Sequence, residues 1–300
     1  MPARLVVVRN FLSFHLLPWS VLSLLLCAGQ TASGAQASLT PAQAQALVGR
    51  ALATELRAAQ DPAHPMRYRL RKSSPRLIST KEIVETGDGD VARLLSINDK
   101  PLSPADEQNE QARLDGLLSD PSRQRHRKLR EEGDAGIVLK LLRMLPDAYL
   151  YQYAGVGSGA GSGNSGTVEK FTFRPNPSFS PPDLETQALK AMTGELWIDA
   201  AEERVTRLEG HLQQDTDYGW GILGRLDKGG WIVIEQADVG GRQWRIARFT
   251  MKMNLRVLFK TRSIDTEEEM TQYAPLPQGL SYQQAISILR QAGTNTPGVP

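Results

Sequence analysis

Residues 193–212 read TGELWIDAAEERVTRLEGHL: a strand-like run, a charged turn beginning at Asp199, and a second strand-like run. Trp197, Asp199, Glu202, Glu203, Glu209 and His211 would serve as catalytic groups, so the stretch reads either as part of an active site or as two neighbouring strands. Carboxylates at a turn ordinarily face water, which accounts for Asp199, Glu202 and Glu203. Glu209 and His211 fall on a strand face with Val205 and Arg207, and a solvated outer face explains them without chemistry. A glycosidase needs two carboxylates opposed across a cleft, and no acidic pair here stands out from the others. The stretch therefore predicts two strands of an antiparallel sheet.

Towards the C-terminus the pattern continues. From 193 to about 274 the chain is nearly all strand, with turn signals near Asp199–Glu203, Asp215–Asp217, Lys228–Gly230 and Gly240–Gly241. The clearest run is FTMKMNLRVLFKTR, 249–262. Phe249, Met251, Met253, Leu255, Val257 and Phe259 alternate with Thr250, Lys252, Asn254, Arg256, Leu258 and Lys260, and only Leu258 breaks the alternation. That predicts one long strand with an apolar and a solvated face. LSYQQAISILRQAG, 280–293, predicts a final helix with Ser281 and Gln284 as its capping box and Gly293 at its end.

Towards the N-terminus, strands are predicted at 148–154 and 167–175, joined by the flexible loop GVGSGAGSGNSG (155–166), with a proline-stiffened crossing at 176–183. Residues 99–146 change character. Ser103–Pro104 opens a helix with Asp106 in the capping position, and Asp120–Pro121 opens another. The second is charged at first, then carries an apolar stripe of Ile137, Val138, Leu141, Leu142 and Leu145. Gly133 and Gly136 predict a break between those halves, and Pro146 a stop. This reads as a helical insertion packed on or over the sheet. Before it lie strand-like runs at 66–72, 76–86 and 89–98, with GDGD (87–90) as a turn. Thr40–Pro41 starts a first helix that ends near Ala59, with one apolar face from Ala44, Leu47, Val48, Ala51, Leu52 and Leu56.

The first 35 residues read as a secretory signal peptide. Arg4 and Arg9 stand at the front, an apolar stretch runs from Leu16 to Leu26, and Ser33 and Ala35 sit at the cleavage positions. Cleavage near Ala35 places the mature protein in the periplasm or outside the cell. It also removes two arginines and no acid, so the formal charge falls from +2 to about zero and no electrostatic case for nucleic-acid binding remains. Leu26 stands where a lipoprotein signal wants a small residue, which argues against lipidation of Cys27. With Cys27, the one cysteine, removed, the mature chain has no disulfide, thiol nucleophile or zinc–thiolate site.

Other motifs point away from catalysis. Gly161, Gly163 and Gly166 spell G-x-G-x-x-G, but the strand-like TVEKFTF follows where a dinucleotide site needs a helix. No G-x-S-x-G elbow is present. His64, His126 and His211 are the histidines outside the signal, and none has the spacing of a metal pair. No metal or cofactor is predicted. RQRHRKLR, 123–130, holds five basic residues that could touch anionic headgroups or an acidic protein partner; a solvated helix face explains them equally. Trp197, Trp220, Trp231 and Trp244 lie in the strand-rich half, where they could line a cavity or seal its rim.

The order of elements, with the meander GELWIDAAEERVTRLEG (194–210) followed by GGWIVIEQADVGGRQWRIARFTMKMNLRV (229–257), resembles the periplasmic lipoprotein-carrier (LolA/LolB/RseB-like) fold. FTFRPNPSFSPPD (171–183) and YGWGILGRLDKGGW (218–231) are similar to a group of secreted proteins from soil bacteria such as the acidobacteria, a likeness that brings no functional assignment.

The fold class expected is α+β: an incomplete antiparallel β-barrel of about eleven strands, wrapped around or covered by helices. One domain, 36–280, carries the insertion 99–146 and is followed by a C-terminal helix and tail, 281–300. The resemblance implies a hydrophobic cavity able to hold acyl chains, in a non-enzymatic protein that binds a lipid, a lipoprotein or another hydrophobic ligand. The expected lining is Phe249, Met251, Met253, Leu255 and Val257, under a lid that includes Ile137 and Leu141. The alternatives are an envelope interaction or sensor protein that uses the helical insertion, and a hydrolase with a spatially assembled site.

Overall fold

The structure, a computed structural model, describes residues 39–159, 166–183, 186–218, 224–257 and 260–294. The signal segment 1–35 with Cys27, the loop glycines Gly161 and Gly163, Trp220, Leu258, Phe259 and the tail from 295 lie outside the described residues. Within them the chain is mixed α+β, with one 13-stranded antiparallel sheet and four α-helices. No described helix is long and apolar enough to cross a membrane.

Helix α1 (Pro41–Ala59) leads into β1 (Met66–Ser74), β2 (Leu77–Val84), β3 (Val91–Ile97) and the short β4 (Lys100–Pro101). Helices α2 (Pro104–Ser119) and α3 (Pro121–Ala148) follow. The chain then meanders through β5 (Tyr149–Ser158), β6 (Thr167–Pro175), β7 (Met192–Asp199) and β8 (Arg204–Leu212). Two short strands, β9 (Thr216–Tyr218) and β10 (Gly224–Leu226), precede β11 (Trp231–Asp238), β12 (Trp244–Val257), β13 (Lys260–Pro275) and α4 (Tyr282–Thr294). Across the sheet the order is β4-β3-β2-β1-β13-β12-β11-β8-β7-β6-β5, so β13 joins the N-terminal strands to the rest. The end strands β4 and β5 do not pair, and the sheet is not closed.

The caps form as their sequences dictate. The Gln43 N–H donates to Thr40 Oγ1 at 3.3 Å and the Thr40 N–H donates to Gln43 Oε1 at 2.9 Å, a reciprocal box at the start of α1. Ser281 and Gln284 repeat it at α4, at 2.9 and 3.3 Å.

Three expectations are corrected. Helix α3 runs unbroken through Gly133 and Gly136, with Pro146 inside its last turn. Both ends are anchored: Gln124 near its start donates to the Gly89 carbonyl at 2.8 Å, and Leu145 and Ala148 near its end are core residues. Two glycines cost only about 1 kcal/mol each in a helix, less than such anchoring supplies. The run 249–262 is not one strand. Val257 pairs with Lys260, so β12 folds back into β13 within that run. The strand count exceeds eleven because β4, β9 and β10, of 2, 3 and 3 residues, are too short to show alternation.

Register assigns the faces. Phe171, Leu196, Leu208, Ile234 and Phe249 stand directly opposite one another on successive strands, and so share a face. Trp197, Arg207, Glu235, Arg248, Glu269 and Arg71 share the other. On the apolar face, α1 and the end of α3 pack Val48, Ala51, Leu52 and Leu145 onto Phe171, Leu196, Ile198 and Val205. A second core lies at the other flank, where Leu114 and Leu117 of α2 and Ala285, Ile286 and Leu289 of α4 cover Val84 and Val91. Those two valines share a face with Glu82 and Arg93, and hence with Arg69 and Arg71. The two helical layers therefore cover opposite faces of the sheet.

A candidate ligand-binding cleft

Between α1, α3 and the apolar face lies a cleft of about 290 Å³. Leu52 comes from α1, Val138, Leu142 and Leu145 from α3, and Leu196, Val205, Leu208, Ile234 and Ile246 from the sheet. The α3 residues stand at i, i+4 and i+7, so helical phase aims one stripe at the cleft. Val138, 53% exposed, and Ile246, 38% exposed, leave apolar surface open to solvent at its edge.

The polar groups of the lining are mostly consumed by one another. Glu55 is buried, and Arg204 donates to its two oxygens from Nε and Nη2, at 2.9 Å each. The Val205 N–H adds a bond to Oε1 at 2.9 Å, and Gln236 Nε2 adds one to Oε2 at 3.1 Å. A buried carboxylate is tolerable only with such pairing. Trp244, 5% exposed, lies with the Arg204 guanidinium 5.8 Å from its ring centre. Its Nε1–H and the Arg245 Nε–H have no acceptor among the described residues. The remaining surface is hydrocarbon, suited to an apolar ligand and offering no nucleophile.

A second cleft of about 870 Å³ lies beyond Arg245, lined by His64, Glu85, Asp90, Lys128 and Glu131 among others. The Asp90 N–H donates to Glu131 Oε2 at 2.9 Å. Burial, with the charges of Glu85 and Glu131, pushes the Asp90 carboxyl up to about 7. Burial also raises Glu85, whose carboxylate accepts from the Met66 N–H at 2.8 Å.

Phe249, Met251, Met253 and Leu255 are half-buried and Val257 is 38% exposed. All five lie on the face that floors the cleft, since Phe249 opposes Ile234 and Met251 opposes Ile232, yet none of them lines it. Ile137 is exposed and Leu141 packs against the first core; their neighbours one step along the helix, Val138 and Leu142, line the cleft instead. Trp244 is in the lining, whereas Trp197 and Trp231 stand on the charged face. There Lys170 Nζ sits 3.9 Å from the Trp197 ring centre. Leu52, Leu208 and Ile234 carried only an ordinary amphipathic signal, so nothing local marked them as lining.

In the opening stretch, Arg207, Glu209 and His211 share the charged face as expected, but Val205 does not. The register shifts between Trp197 and Ile198, leaving Thr206 as the extra residue, and Val205 turns into the core. His211 Nε2 lies 2.8 Å from Glu209, and His64 Nδ1 lies 3.2 Å from Asp61; among the described residues neither bonds to a serine. Among the described residues no group of three His, Cys, Asp or Glu is placed to hold a metal. In 123–130, Arg123, Arg127 and Lys128 pair with Asp120, Glu131 and Glu132 of the same helix region. A strand follows the glycine loop, with the Gly159 N–H bonded to the Gly166 carbonyl at 2.8 Å, so the helix a dinucleotide site requires is absent there. No known family's sequence profile matches the chain, and no curated protein matches it in sequence.

Proposed function

We propose that the protein is a non-enzymatic binder of a hydrophobic ligand, a lipid or the acyl chain of a lipoprotein, held in the cleft between α1, α3 and the sheet. The observation that carries this reading is the cleft itself: an apolar lining whose one buried carboxylate is closed off by four donors, open to solvent beside Val138 and Ile246. In this reading the open sheet curls as an incomplete barrel of the lipoprotein-carrier kind. The signal-like sequence of residues 1–35 supports a location in the periplasm or outside the cell.

The test is native mass spectrometry with lipid extraction on the purified protein, followed by titration of the delipidated protein with a fluorescent fatty acid. Leu142 is half-buried, so Leu142→Asp should fold and weaken binding at least tenfold, about 1.4 kcal/mol. Absence of any bound or bindable amphiphile, or unchanged affinity in the folded variant, would overturn the reading.

A second reading has an observation of its own. On α3, Leu129 is 63% exposed and Ile137 41%, an apolar surface that suits a protein partner for an envelope interaction or sensor role. Loss of partner capture in Leu129→Ser with fatty-acid affinity intact would favour it.

A further inference from the structure

The end of the sheet remote from the cleft has a composition of its own. From Trp244 to Ile264 the sequence holds Arg245, Arg248, Lys252, Arg256, Lys260 and Arg262 and no acidic residue. The inner cations of β12 are paired across the sheet: Arg248 with Glu269 at 3.3 Å, Lys252 with Asp265 at 3.5 Å, Arg256 with Asp227 at 2.9 Å. Lys260 and Arg262, at the start of β13, are exposed and have no ion pair among the described residues. Neither has Arg76, in the turn between β1 and β2. A groove of about 920 Å³ runs between that turn and residues 261–265 and brings Arg76 and Arg262 to one surface. Apolar side chains share this end: Leu77 is 47% exposed and Val257 38%.

Lysine and arginine on a strand edge commonly serve to prevent edge-to-edge pairing, and that accounts for the cations alone. It does not account for the exposed aliphatic side chains beside them. The groove also holds Asp265, which Lys252 pairs, and exposed aliphatic residues beside unpaired cations match the interface of a bilayer, with hydrocarbon below and anionic headgroups around it.

We infer that this end of the molecule, built from Arg76, Leu77, Val257, Lys260 and Arg262, docks on an anionic lipid surface. Each cation held near such a surface strengthens binding about fivefold, so three supply roughly a hundredfold and the aliphatic contacts add to it. Because the chain without residues 1–35 is close to neutral, the attraction is local to this end and not a property of the whole protein. The inference stands whether or not the cleft is filled. It gives the row from Phe249 to Val257 a place, however, as an apolar track on β12 between the docking end and the cleft, which Trp244 lines some 40 Å away at about 3.3 Å per residue.

The experiment is co-sedimentation of the purified chain with phosphatidylcholine vesicles, with and without phosphatidylglycerol, over a series of salt concentrations. The expected result is binding that requires phosphatidylglycerol and weakens as salt rises. Lys260→Glu with Arg262→Glu should lower partitioning at least tenfold at unchanged melting temperature and unchanged fatty-acid affinity. Leu77→Ser should lower it and leave the salt dependence in place. Arg125→Glu with Arg130→Glu on α3 makes the same change in net charge elsewhere and should have no effect. The inference is overturned by no sedimentation, by equal binding to neutral vesicles, or by equal loss in the α3 variant. Leu142→Asp should still dock, so failure of the cleft and failure of this surface give different results.

Discussion

Glu55 and Arg204 are a pair in which each residue is tolerable only because of the other. With side chains 9% and 11% exposed, they form a bidentate contact inside the first core. Truncating one partner strands a charge, so Glu55→Ala should cost about 3–5 kcal/mol in urea unfolding. Removing Arg204 as well should restore part of that loss. A double variant as unstable as the sum of the singles would mean that the two charges are solvated independently. The turn chemistry around this pair was legible in the sequence: Asp199 accepts from the N–H groups of Ala201 and Glu202, at 3.0 Å each, as a short acceptor at a turn does. Arg204 was not legible as a core residue, because its partner lies 149 positions away and neither residue is apolar. Val205 was misread for a related reason. A single extra residue at Thr206 reverses every facing assignment before it, and alternation counted along one strand cannot detect a bulge that pairing creates.

At the scale of the element, α3 shows what a propensity argument leaves out. Its two glycines marked a break on local grounds, yet the helix spans 28 residues because Gln124 and Leu145, far apart on it, are held by the turn between β2 and β3 and by the first core. Tertiary anchoring outweighs the local cost, and that cost is still present in the folded state. A Cβ at either Gly133 or Gly136 meets nothing within 4 Å, and neither has a positive φ. Alanine at each should therefore stabilise by about 0.5–1 kcal/mol, seen as additive rises in melting temperature. A fall in either variant would show that the helix needs to bend there. The opposite holds for Gly194 in β7, where a Cβ would lie 1.8 Å from the Glu209 carbonyl oxygen. The hairpin of β12 and β13 was half legible: the alternation fixed the apolar face, but the pairing of Val257 with Lys260 ends β12 inside a run that alternates almost without a break.

The whole molecule holds two cores on opposite faces of one sheet, and no one-dimensional pattern reports this. Each helix is amphipathic in the ordinary way, and which face of the sheet it covers follows from long-range register alone. The carboxylates of the second cleft make stability depend on pH. Asp90 follows the turn between β2 and β3, facing Glu85 from the end of β2 and Glu131 and Arg127 from α3, with Lys128 bonded to the nearby Gly87 carbonyl. The carboxylates and burial raise its affinity for a proton, while Arg127 and the Thr86 backbone oppose them. A carboxyl raised to about 7 in the folded chain, against an ordinary value of 3.8, holds its proton over a range where the unfolded chain has lost it. Within that window the folded state binds more protons, so stability must fall as pH rises from about 4 through 7. Glu85 is shifted in the same direction and adds to the slope. At about 1.4 kcal/mol per pKa unit, and discounting for partial exposure, the loss between about pH 5 and pH 8 should be on the order of 2 kcal/mol. Asp90→Asn, which holds the site neutral at every pH, should flatten most of that slope and make the protein more stable than wild type at about pH 8 while matching it near pH 5. Urea unfolding at a series of pH values measures both curves. A wild-type profile that is level across this range would remove Asp90 as the source, and so would a variant that keeps the full slope, because Glu85 alone is the smaller contributor.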